Sequence, residues 1–292
     1  MATAEVHPVT SDMFEHVWPL LEGFDTTKMS KTDWRRMLFE HGWKNDDDPY
    51  GYVLVKGEEP VGFVGTIFST QRVAGEERRF CNFSSWIVKP EYRMLALSLL
   101  KPVLDERSHT VTCLTPISAT TKILRRFGFQ ELEREALVMS PASSVTSARS
   151  LRRFSWTCEP DEIEAALEGR DREVFLHHKD ALCGHLLLEW SDGYCYVLTT
   201  RWSLKQQAVS YVRYVSDRER FWSHLGSVQW ALFRANGTLF TMIDKREAGR
   251  ERAPLGIRYP FRQPPLYRPP RDAELPPTEV SALYSELMWL RV

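Results

Sequence analysis

The sequence feature that most limits the possible folds of this chain is a short apolar strand followed by a proline turn and a helix. The strand is Trp86–Val88, the turn contains Pro90, and Arg93 opens a helix with small residues at Ala96 and Ser98. A helix that begins directly after a strand presents unpaired backbone N–H groups, and such groups bind phosphate. The sequence therefore predicts a pyrophosphate site just past Pro90.

Composition limits the class of protein. The chain has 292 residues, of which 43% are hydrophobic, so it can bury a sizeable core, and its length favours two domains. A formal net charge of -1 gives no general attraction to nucleic acid. The N-terminus has no leader-like pattern, and no apolar run is long enough to cross a bilayer. We therefore expect a cytoplasmic protein that binds neither nucleic acid nor membrane.

The cysteines agree with a reducing compartment. There are five, widely spaced and without a C-x-x-C pair, at Cys81, Cys113, Cys158, Cys183 and Cys195. This spacing favours neither a disulfide framework nor a thiolate zinc site. We expect reduced thiols.

The first half of the chain alternates helices and strands in a mixed α/β order. Two helices begin near Thr10 and Ser30. Strands are predicted over residues 5–9, 50–56, 61–68, 79–88 and 110–114 and near residues 131–139, and further helices over residues 95–106 and 118–126. This order is typical of a mixed, mostly antiparallel sheet flanked by helices.

A shift towards Ser, Ala, Thr and Arg places a linker over residues 141–153, between domains over residues 1–140 and 154–292. In the second domain we predict helices after Pro160 and over residues 217–234, with strands over residues 173–178, 184–189, 194–199, 209–215 and 239–243. Between residues 199 and 209 there is room for a loop only. We therefore expect this domain to lack the helix that could hold a pyrophosphate.

The C-terminal part of the chain has two further features. A proline-rich and arginine-rich arm over residues 254–277 favours an extended path. After Thr278, apolar residues at helical spacing predict a last helix with one buried face, formed by Val280, Leu283, Tyr284, Leu287 and Leu290.

With Phe127-Gly128-Phe129 after a short helix, the strand–turn–helix segment resembles the acetyl-CoA-binding core of the GNAT superfamily of acyl-CoA N-acyltransferases. The resemblance covers about residues 4–140 and implies a mixed α+β fold that binds acetyl-CoA or another acyl-CoA as co-substrate. Because the second half repeats the order of elements, we predict a tandem fold whose second half is a degenerate GNAT-like domain.

The resemblance also implies which residues bind the co-substrate. In the family, a strand contacts the pantetheine arm and a Q/R-x-x-G-x-G/A loop binds the pyrophosphate. The matching positions here are Trp86, Ile87 and Val88 on the strand and Arg93, Met94, Leu95, Ala96, Leu97 and Ser98 in the loop. Both glycine positions depart from the pattern. Ala96 adds a Cβ where the backbone approaches the ligand, whereas the Ser98 hydroxyl can still donate to a phosphate oxygen.

The sequence identifies no strong acid or base. Many family members carry a Tyr that protonates the leaving thiolate, but the matching residue here is Leu124, which cannot exchange a proton. By alternation, Asn82 and Ser84 share a face with Trp86 and Val88, and neither is a good base. Ser84 and Cys113 stay as catalytic candidates. Cys113 fits either a covalent nucleophile or an apolar core residue.

Three histidines in the second half raise the question of a metal. With His177 and His178 on one predicted strand and His185 on the next, the side chains point to different faces and cannot converge on one ion. We therefore expect no metal site.

Two functions follow from these observations. The first is an acyl-CoA-dependent N-acyltransferase in which an amine attacks the thioester directly, with acetyl transfer to a small-molecule or sugar amine. The second is an inactive GNAT-fold binding or assembly protein, favoured by Ala96, Ser98 and Leu124. A homodimer stays open, as do the acyl length and the acceptor.

Overall fold

The computed structural model describes residues 4–24, 29–45, 47–105, 107–144, 154–248 and 256–290. These residues form two compact units. The first contains the residues up to Leu132 together with Gln263–Trp289, and the second contains Glu133–Arg262. The chain therefore leaves the first unit after Leu132 and returns to it at Gln263.

The elements before residue 140 are, in order, β1 (Ala4–Pro8), α1 (Phe14–Leu21), α2 (Lys31–Phe39), β2 (Gly51–Lys56), β3 (Glu59–Val73), β4 (Glu76–Val88), α3 (Ala96–Asp105), β5 (Thr110–Cys113), α4 (Ser118–Arg126), β6 (Gln130–Glu131) and β7 (Glu135–Met139). Those after residue 153 are β8 (Ser155–Thr157), α5 (Pro160–Ala166), α6 (Gly169–His178), β9 (Gly184–Trp190), β10 (Gly193–Leu204), β11 (Gln207–Val215), α7 (Arg218–Ser223), α8 (Leu225–Asn236), β12 (Phe240–Asp244), α9 (Lys245–Ala248), β13 (Ile257–Pro260) and β14 (Leu266–Arg268). Short 3-10 helices occur at Ser11–Met13, Pro90–Leu95, Pro141–Ser144, Pro277–Glu279 and Glu286–Met288.

Each unit contains a seven-stranded sheet. The strand order is β1-β2-β3-β4-β5-β14-β6 in the first unit and β13-β7-β12-β11-β10-β9-β8 in the second. The neighbours are antiparallel except for the parallel pairs β4–β5 and β11–β12. The predicted fold class, two mixed and mostly antiparallel sheets with flanking helices, is confirmed.

The strands beside β5 and β12 correct the predicted domain boundaries. β7, expected to close the first sheet, pairs with β12 of the second, and β14, placed by the sequence in the C-terminal domain, lies between β5 and β6. All three residues of β14 are buried, and the strand covers the free edge of β5. Of the predicted linker, Pro141–Ser144 form a 3-10 turn, and residues 145–153 lie outside the described residues.

The first unit buries the helix faces that the sequence predicts. α1 buries Phe14, Val17, Leu20 and Leu21, and α2 buries Trp34, Met37 and Leu38. At the start of α2, Ser30 Oγ accepts from the Asp33 backbone N–H at 3.1 Å and Asp33 Oδ2 accepts from the Ser30 N–H at 3.0 Å. This reciprocal cap fixes where the helix begins. Within the described residues, no helix is long and apolar enough to span a membrane.

The predicted strand over residues 173–178 is wrong, because these residues belong to helix α6. The buried positions are Val174, Phe175 and His178, which is the spacing of one helical face. A short apolar run does not distinguish helix from strand by periodicity alone.

The predicted long helix over residues 217–234 is divided at His224 into α7 and α8. These two helices lie in the chain between β11 and β12, which are parallel neighbours in the sheet. In the same way, α3 lies between β4 and β5, the parallel neighbours of the first sheet. The predicted helix over residues 217–234 therefore occupies the same place in the second unit as α3 in the first, although we expected the second domain to lack a helix in that place. The sequence reasoning looked for it between β10 and β11, which are joined by a hairpin.

The predicted last helix is also wrong. Residues 277–289 form two 3-10 turns joined by irregular chain, and every side chain from Leu283 to Trp289 is buried. An amphipathic surface helix would leave one face in solvent. This segment instead belongs to the first unit and is buried over all of residues 283–289, which explains why its apolar spacing was misleading.

Candidate active site

The parallel pair in the first sheet opens into a fork. β4 and β5 pair from Phe80–Thr110 to Asn82–Thr112. β4 then continues beside β3 as far as Val88. Within the described residues, β4 beyond Asn82 therefore has a sheet neighbour on one side, and its other edge can bind an extended ligand as a strand would bind. We use "the fork" for residues 83–88 of β4 together with the end of β5.

A bulge at Ser85 changes which residues share a face of the fork. Ser85 has a φ of 59°, and the pairing of β4 with β3 shifts by one residue there. A bulge inserts one extra residue and reverses the alternation after it. Trp86 therefore lies on the face of Phe83, whereas Ile87 lies on the face of Ser84. The predicted common face of Asn82, Ser84, Trp86 and Val88 is thus corrected.

The strand residues implied by the resemblance line the open part of β4. Trp86 and Val88 are half-buried and pack against the core of the first unit. The Trp86 indole N–H is buried and has no hydrogen-bond partner among the described residues. On β3, a Cβ at Gly62 would lie 3.0 Å from Val88 Cγ2, so glycine is what lets β3 and β4 approach here.

The turn after β4 differs from our expectation of free backbone amides. Pro90–Leu95 form a 3-10 helix, in which the Tyr92 N–H donates to Lys89 O at 2.9 Å and the Ala96 N–H donates to Arg93 O. The Ser98 hydroxyl donates to Leu95 O at 2.6 Å. The prediction of unpaired amides past Pro90 is therefore wrong for Tyr92 and Ala96.

The side chains of this turn are exposed. The Arg93 side chain has no hydrogen bond or ion pair with the described residues, and Met94 beside it is 94% exposed. Leu95 and Leu97 are also exposed, whereas Leu99 is buried and begins the inner face of α3. The loop predicted to bind pyrophosphate thus presents one cation among apolar side chains.

Helix α4 ends as the resemblance implies, but it carries no acid. Gly128 has a φ of 84° and follows the helix, and the Phe129 N–H donates to Leu124 O at 3.2 Å. This is a left-handed helix end that favours glycine. Phe129 packs edge-on against Phe83. Leu124 is fully buried in the same core, so its side chain is not exposed at the fork.

The two catalytic candidates have different surroundings. Cys113 is buried in the core of the first unit. Burial raises the pKa of its thiol well above the ordinary value, and the nearby charge of Glu286 raises it further. A thiolate nucleophile is disfavoured under these conditions. Ser84 is half-buried, with its Oγ 3.3 Å from Ser85 Oγ. The structure gives Ser84 no basic partner among the described residues.

A buried carboxylate that the sequence reasoning missed lies at the start of the fork. Asn82 Nδ2 donates to Glu286 Oε2 at 2.5 Å, and Thr115 Oγ1 donates to Glu286 Oε1 at 2.8 Å. Thr112 Oγ1 donates to Asn82 Oδ1 at 3.0 Å. The available signal was a single Glu inside the apolar run Leu283–Trp289. Such a residue is either turned to solvent or hydrogen-bonded inside the protein.

The second unit has a carboxylate beside its own parallel pair. The hydroxyl of Tyr211 donates to Asp244, and Arg246 Nη2 lies 3.4 Å from Asp244 Oδ2. The first turn of α7 is capped by Asp217, whose Oδ1 accepts from the Arg220 N–H at 2.8 Å. Asp217 Oδ2 also lies 3.3 Å from Arg220 Nε, so this carboxylate is paired and already binds an amide at the start of the helix.

Two of the three histidines lie on a helix rather than on the predicted strand, whereas His185 lies on a strand as predicted. His177 and His178 lie on α6 and His185 lies on β9. His185 Nδ1 is 2.7 Å from the Tyr196 hydroxyl, and burial lowers the pKa of His185 to about 4. Among the described residues, no three His, Cys, Asp or Glu side chains are grouped so that they could hold a metal.

Comparison with known proteins bears on the fold. No family model matches the chain, and no curated protein matches its sequence. A GCN5-related N-acetyltransferase from Kribbella flavida matches 91% of this chain and 70% of its own length, with a TM-score of 0.58 at 15% identity. One from Anabaena variabilis matches 91% of this chain and 72% of its own length, with a TM-score of 0.59 at 12% identity.

A third solved structure is a GCN5-related glucosamine N-acetyltransferase region of a fungal multi-domain β-N-acetylglucosaminidase. It matches 91% of this chain and 38% of its own length, with a TM-score of 0.56 at 12% identity. At such identities the likeness concerns the fold. The chain has the GNAT fold over most of its length, and the resemblance drawn from residues 86–129 is confirmed at that level.

Proposed function

We propose that this protein is an acyl-CoA-dependent N-acyltransferase whose site is the fork of the first unit. The observation that carries the proposal is the separation of β4 from β5 after Asn82, which leaves one edge of residues 83–88 without a strand neighbour among the described residues. A pantetheine arm is an extended chain with amide groups, and an open strand edge offers the hydrogen bonds that such a chain needs. The GNAT fold of the solved structures supports this reading.

The turn after β4 is the proposed position of the pyrophosphate. Because the amides of Tyr92 and Ala96 are paired, binding here depends on a side chain more than on the backbone. Arg93 fits this role, since it is exposed and has no partner among the described residues. A guanidinium binds phosphate oxygens in a bidentate manner. The exposed apolar residues Met94 and Leu97 beside it suit a ligand with both charged and apolar parts.

Catalysis in this proposal comes mainly from positioning. The bound acyl-CoA supplies an activated carbonyl. The backbone of β4 holds the thioester in place, and the packed core behind Trp86 and Val88 excludes water from one side of it. No phenol stands at Leu124 to protonate the thiolate. A thiolate leaves without that help more readily than an alkoxide does, so the absence slows the reaction rather than preventing it.

A second function is favoured by two observations. The paired amides of the 3-10 turn and the buried Leu124 both remove features that help an acyltransferase. A GNAT-fold protein that binds a ligand or assembles with others, without catalysis, would need neither. This alternative predicts that the protein transfers no acyl group, whether or not it binds a ligand.

The finer parts of the proposal concern the substrates. We propose acetyl-CoA as the donor and a small-molecule amine as the acceptor. A sugar amine is supported by the fungal structure, which is a glucosamine N-acetyltransferase region. A cytoplasmic location fits the reduced cysteines, and the acyl length and a homodimer are left to experiment.

The decisive experiment is calorimetry with acetyl-CoA and longer acyl-CoAs on the full chain. Arg93→Ala should weaken binding by about 10- to 100-fold, because a charged hydrogen bond contributes about 1.5–3 kcal/mol. Arg36→Ala is the matched control, since Arg36 is also exposed but lies on α2. Absence of heat with every acyl-CoA at high micromolar concentration would contradict the proposal. Binding without transfer to any amine would favour the second function.

A further inference from the structure

Glu286 connects the two sides of the fork. It is 1% exposed and begins the last 3-10 turn, far from the fork in sequence. Its Oε2 accepts from Asn82, the last residue of β4 that pairs with β5. Its Oε1 accepts from Thr115, in the loop that joins β5 to α4. The carboxylate therefore lies where β4 and β5 separate.

The two donors to this carboxylate differ in exposure. Asn82 is buried, and its amide is fixed by the hydrogen bond from Thr112. Thr115 is exposed, and its hydroxyl proton points to Glu286. A hydroxyl that donates its proton inward keeps oxygen lone pairs that can accept a hydrogen bond from a ligand. Thr115 thus connects the surface to a carboxylate that solvent does not reach.

We propose that Thr115 and Glu286 form a proton relay that takes a proton from the acceptor amine during acyl transfer. The proposal rests on the proposed function and adds the proton acceptor that the sequence did not reveal. Thr115 is the catalytic residue, because its hydroxyl touches the amine. Glu286 acts through Thr115, and Asn82 positions the carboxylate.

The amine nitrogen uses its electron pair to form a bond to the thioester carbonyl carbon, and the π pair of the C=O bond moves to the carbonyl oxygen. The nitrogen then carries a positive charge and the oxygen a negative one. One proton moves from this nitrogen to Thr115 Oγ1 while the Thr115 proton moves to Glu286 Oε1. The oxygen electron pair re-forms the C=O bond as the C–S bond breaks, and the C–S electron pair leaves with the sulfur of CoA. The proton on Glu286 returns through Thr115 to the thiolate or to solvent.

The burial of Glu286 supports a role beyond packing. Removing a carboxylate from water costs several kcal/mol, and the hydrogen bonds from Asn82 and Thr115 offset part of that cost. An apolar side chain of similar size would avoid the cost. A buried ionisable group beside the point where two strands separate is therefore a candidate for a functional role.

The test compares variants of the two relay residues with matched controls. Glu286→Gln keeps the shape and removes the proton acceptor. Thr115→Val removes the hydroxyl, whereas Thr115→Ser retains it. Glu279→Gln and Thr278→Val are the controls, because both residues are exposed and lie in the neighbouring 3-10 turn. Each protein is assayed for acetyl-CoA affinity by calorimetry, for amine acetylation against pH, and for thermal unfolding.

We expect acetyl-CoA affinity to stay within about twofold in all variants, while kcat falls by about 100-fold or more in Glu286→Gln and Thr115→Val. Thr115→Ser should keep most of the activity. The acidic limb of the pH profile of kcat/KM should become less steep in Glu286→Gln, because only the protonation of the amine itself then remains to set it. A purely structural role would not cause this change. The wild-type rate should depend on the D2O fraction along a curve, because two protons move in the same step. In Thr115→Val the dependence should be linear, because the relay is interrupted.

A second readout uses the protein without substrate. The charge of Glu286 contributes to the raised pKa of Cys113, so Glu286→Gln should lower the pH at which Cys113 is alkylated. An unchanged alkylation profile would contradict the charged carboxylate that the relay requires.

The outcomes separate this proposal from the proposed function. If the wild type acetylates amines and folded Glu286→Gln does so at a rate within about threefold, the relay is refuted and the acyltransferase stands. If the wild type binds no acyl-CoA or transfers no acyl group, both are refuted. If Glu286→Gln does not fold, Thr115→Val decides, since Thr115 is exposed and valine keeps the shape of the side chain while one hydrogen bond to Glu286 is lost.

Discussion

Replacing Asn82 with Ala tests whether the network at the fork is built as the structure shows. The Asn82 amide donates to Glu286 and accepts from Thr112, and Asn82 is only 2% exposed. Loss of a hydrogen bond to a charged group costs about 1.5–3 kcal/mol, and the Thr112 hydroxyl loses its acceptor at a cost of about 1 kcal/mol. We expect the free energy of unfolding to fall by about 3 kcal/mol.

The same replacement in a Glu286→Gln background should cost less. The partner is then a neutral amide, and a hydrogen bond between neutral groups contributes about 1 kcal/mol. A double-mutant cycle should therefore give a coupling between Asn82 and Glu286 of at least about 1 kcal/mol. Ser84→Ala on the same strand is the control, because its Oγ has only a long contact, 3.3 Å, with Ser85 Oγ.

The assay is urea unfolding at neutral pH, followed by circular dichroism. Hydrogen exchange read by mass spectrometry on the segments 110–117 and 283–289 shows whether the loss is local to the network. Asn82→Ala should speed exchange in both segments. A cost below about 1 kcal/mol that is equal in the two backgrounds would refute the charged, hydrogen-bonded carboxylate.

The remaining predictions address both units. Glu286→Gln should lower the pKa of Cys113, although burial keeps it above that of a free thiol; cysteine alkylation against pH, read by mass spectrometry, measures this. Tyr211→Phe should reduce the free energy of unfolding by about 1–3 kcal/mol, because Asp244 loses a buried donor, and calorimetry should show unchanged acetyl-CoA affinity. Burial holds the pKa of His185 at about 4, below its ordinary value near 6.5, so the unfolded chain binds the proton more readily. Stability should therefore fall by about 1.4 kcal/mol per pH unit between roughly pH 6.5 and pH 4, and urea unfolding of His185→Gln should lack this slope.

Local sequence patterns predicted the scaffold around the fork. β4, α3 and α4 agree with the predicted strand and helices to within a few residues, because each carries its own signals, such as the left-handed helix end at Gly128. The two failed predictions of secondary structure both involve short apolar runs. For residues 173–178 and 278–290, spacing alone allowed the wrong element, and tertiary burial decided.

The chemistry at the fork could not be read from such patterns. Glu286 lies 204 positions from Asn82 and 171 positions from Thr115 along the chain. The contact exists because β14 returns the chain to the first sheet, and strand pairing across that distance leaves no periodic trace. The sequence does contain the residues, but no local rule connects them.

The two parallel strand pairs explain why chemistry is assigned to one unit. At β11–β12, the carboxylate of Asp244 has a guanidinium partner in Arg246, and Asp217, where the next helix begins, is paired with Arg220. At β4–β5, Glu286 receives hydrogen bonds from neutral groups, one of them on the exposed Thr115. The exposed Arg93 and the Thr115–Glu286 hydrogen bond are the reasons why acyl transfer is proposed at the first unit. The shared topology of the two units does not imply a shared activity, because an activity depends on the side chains at the site.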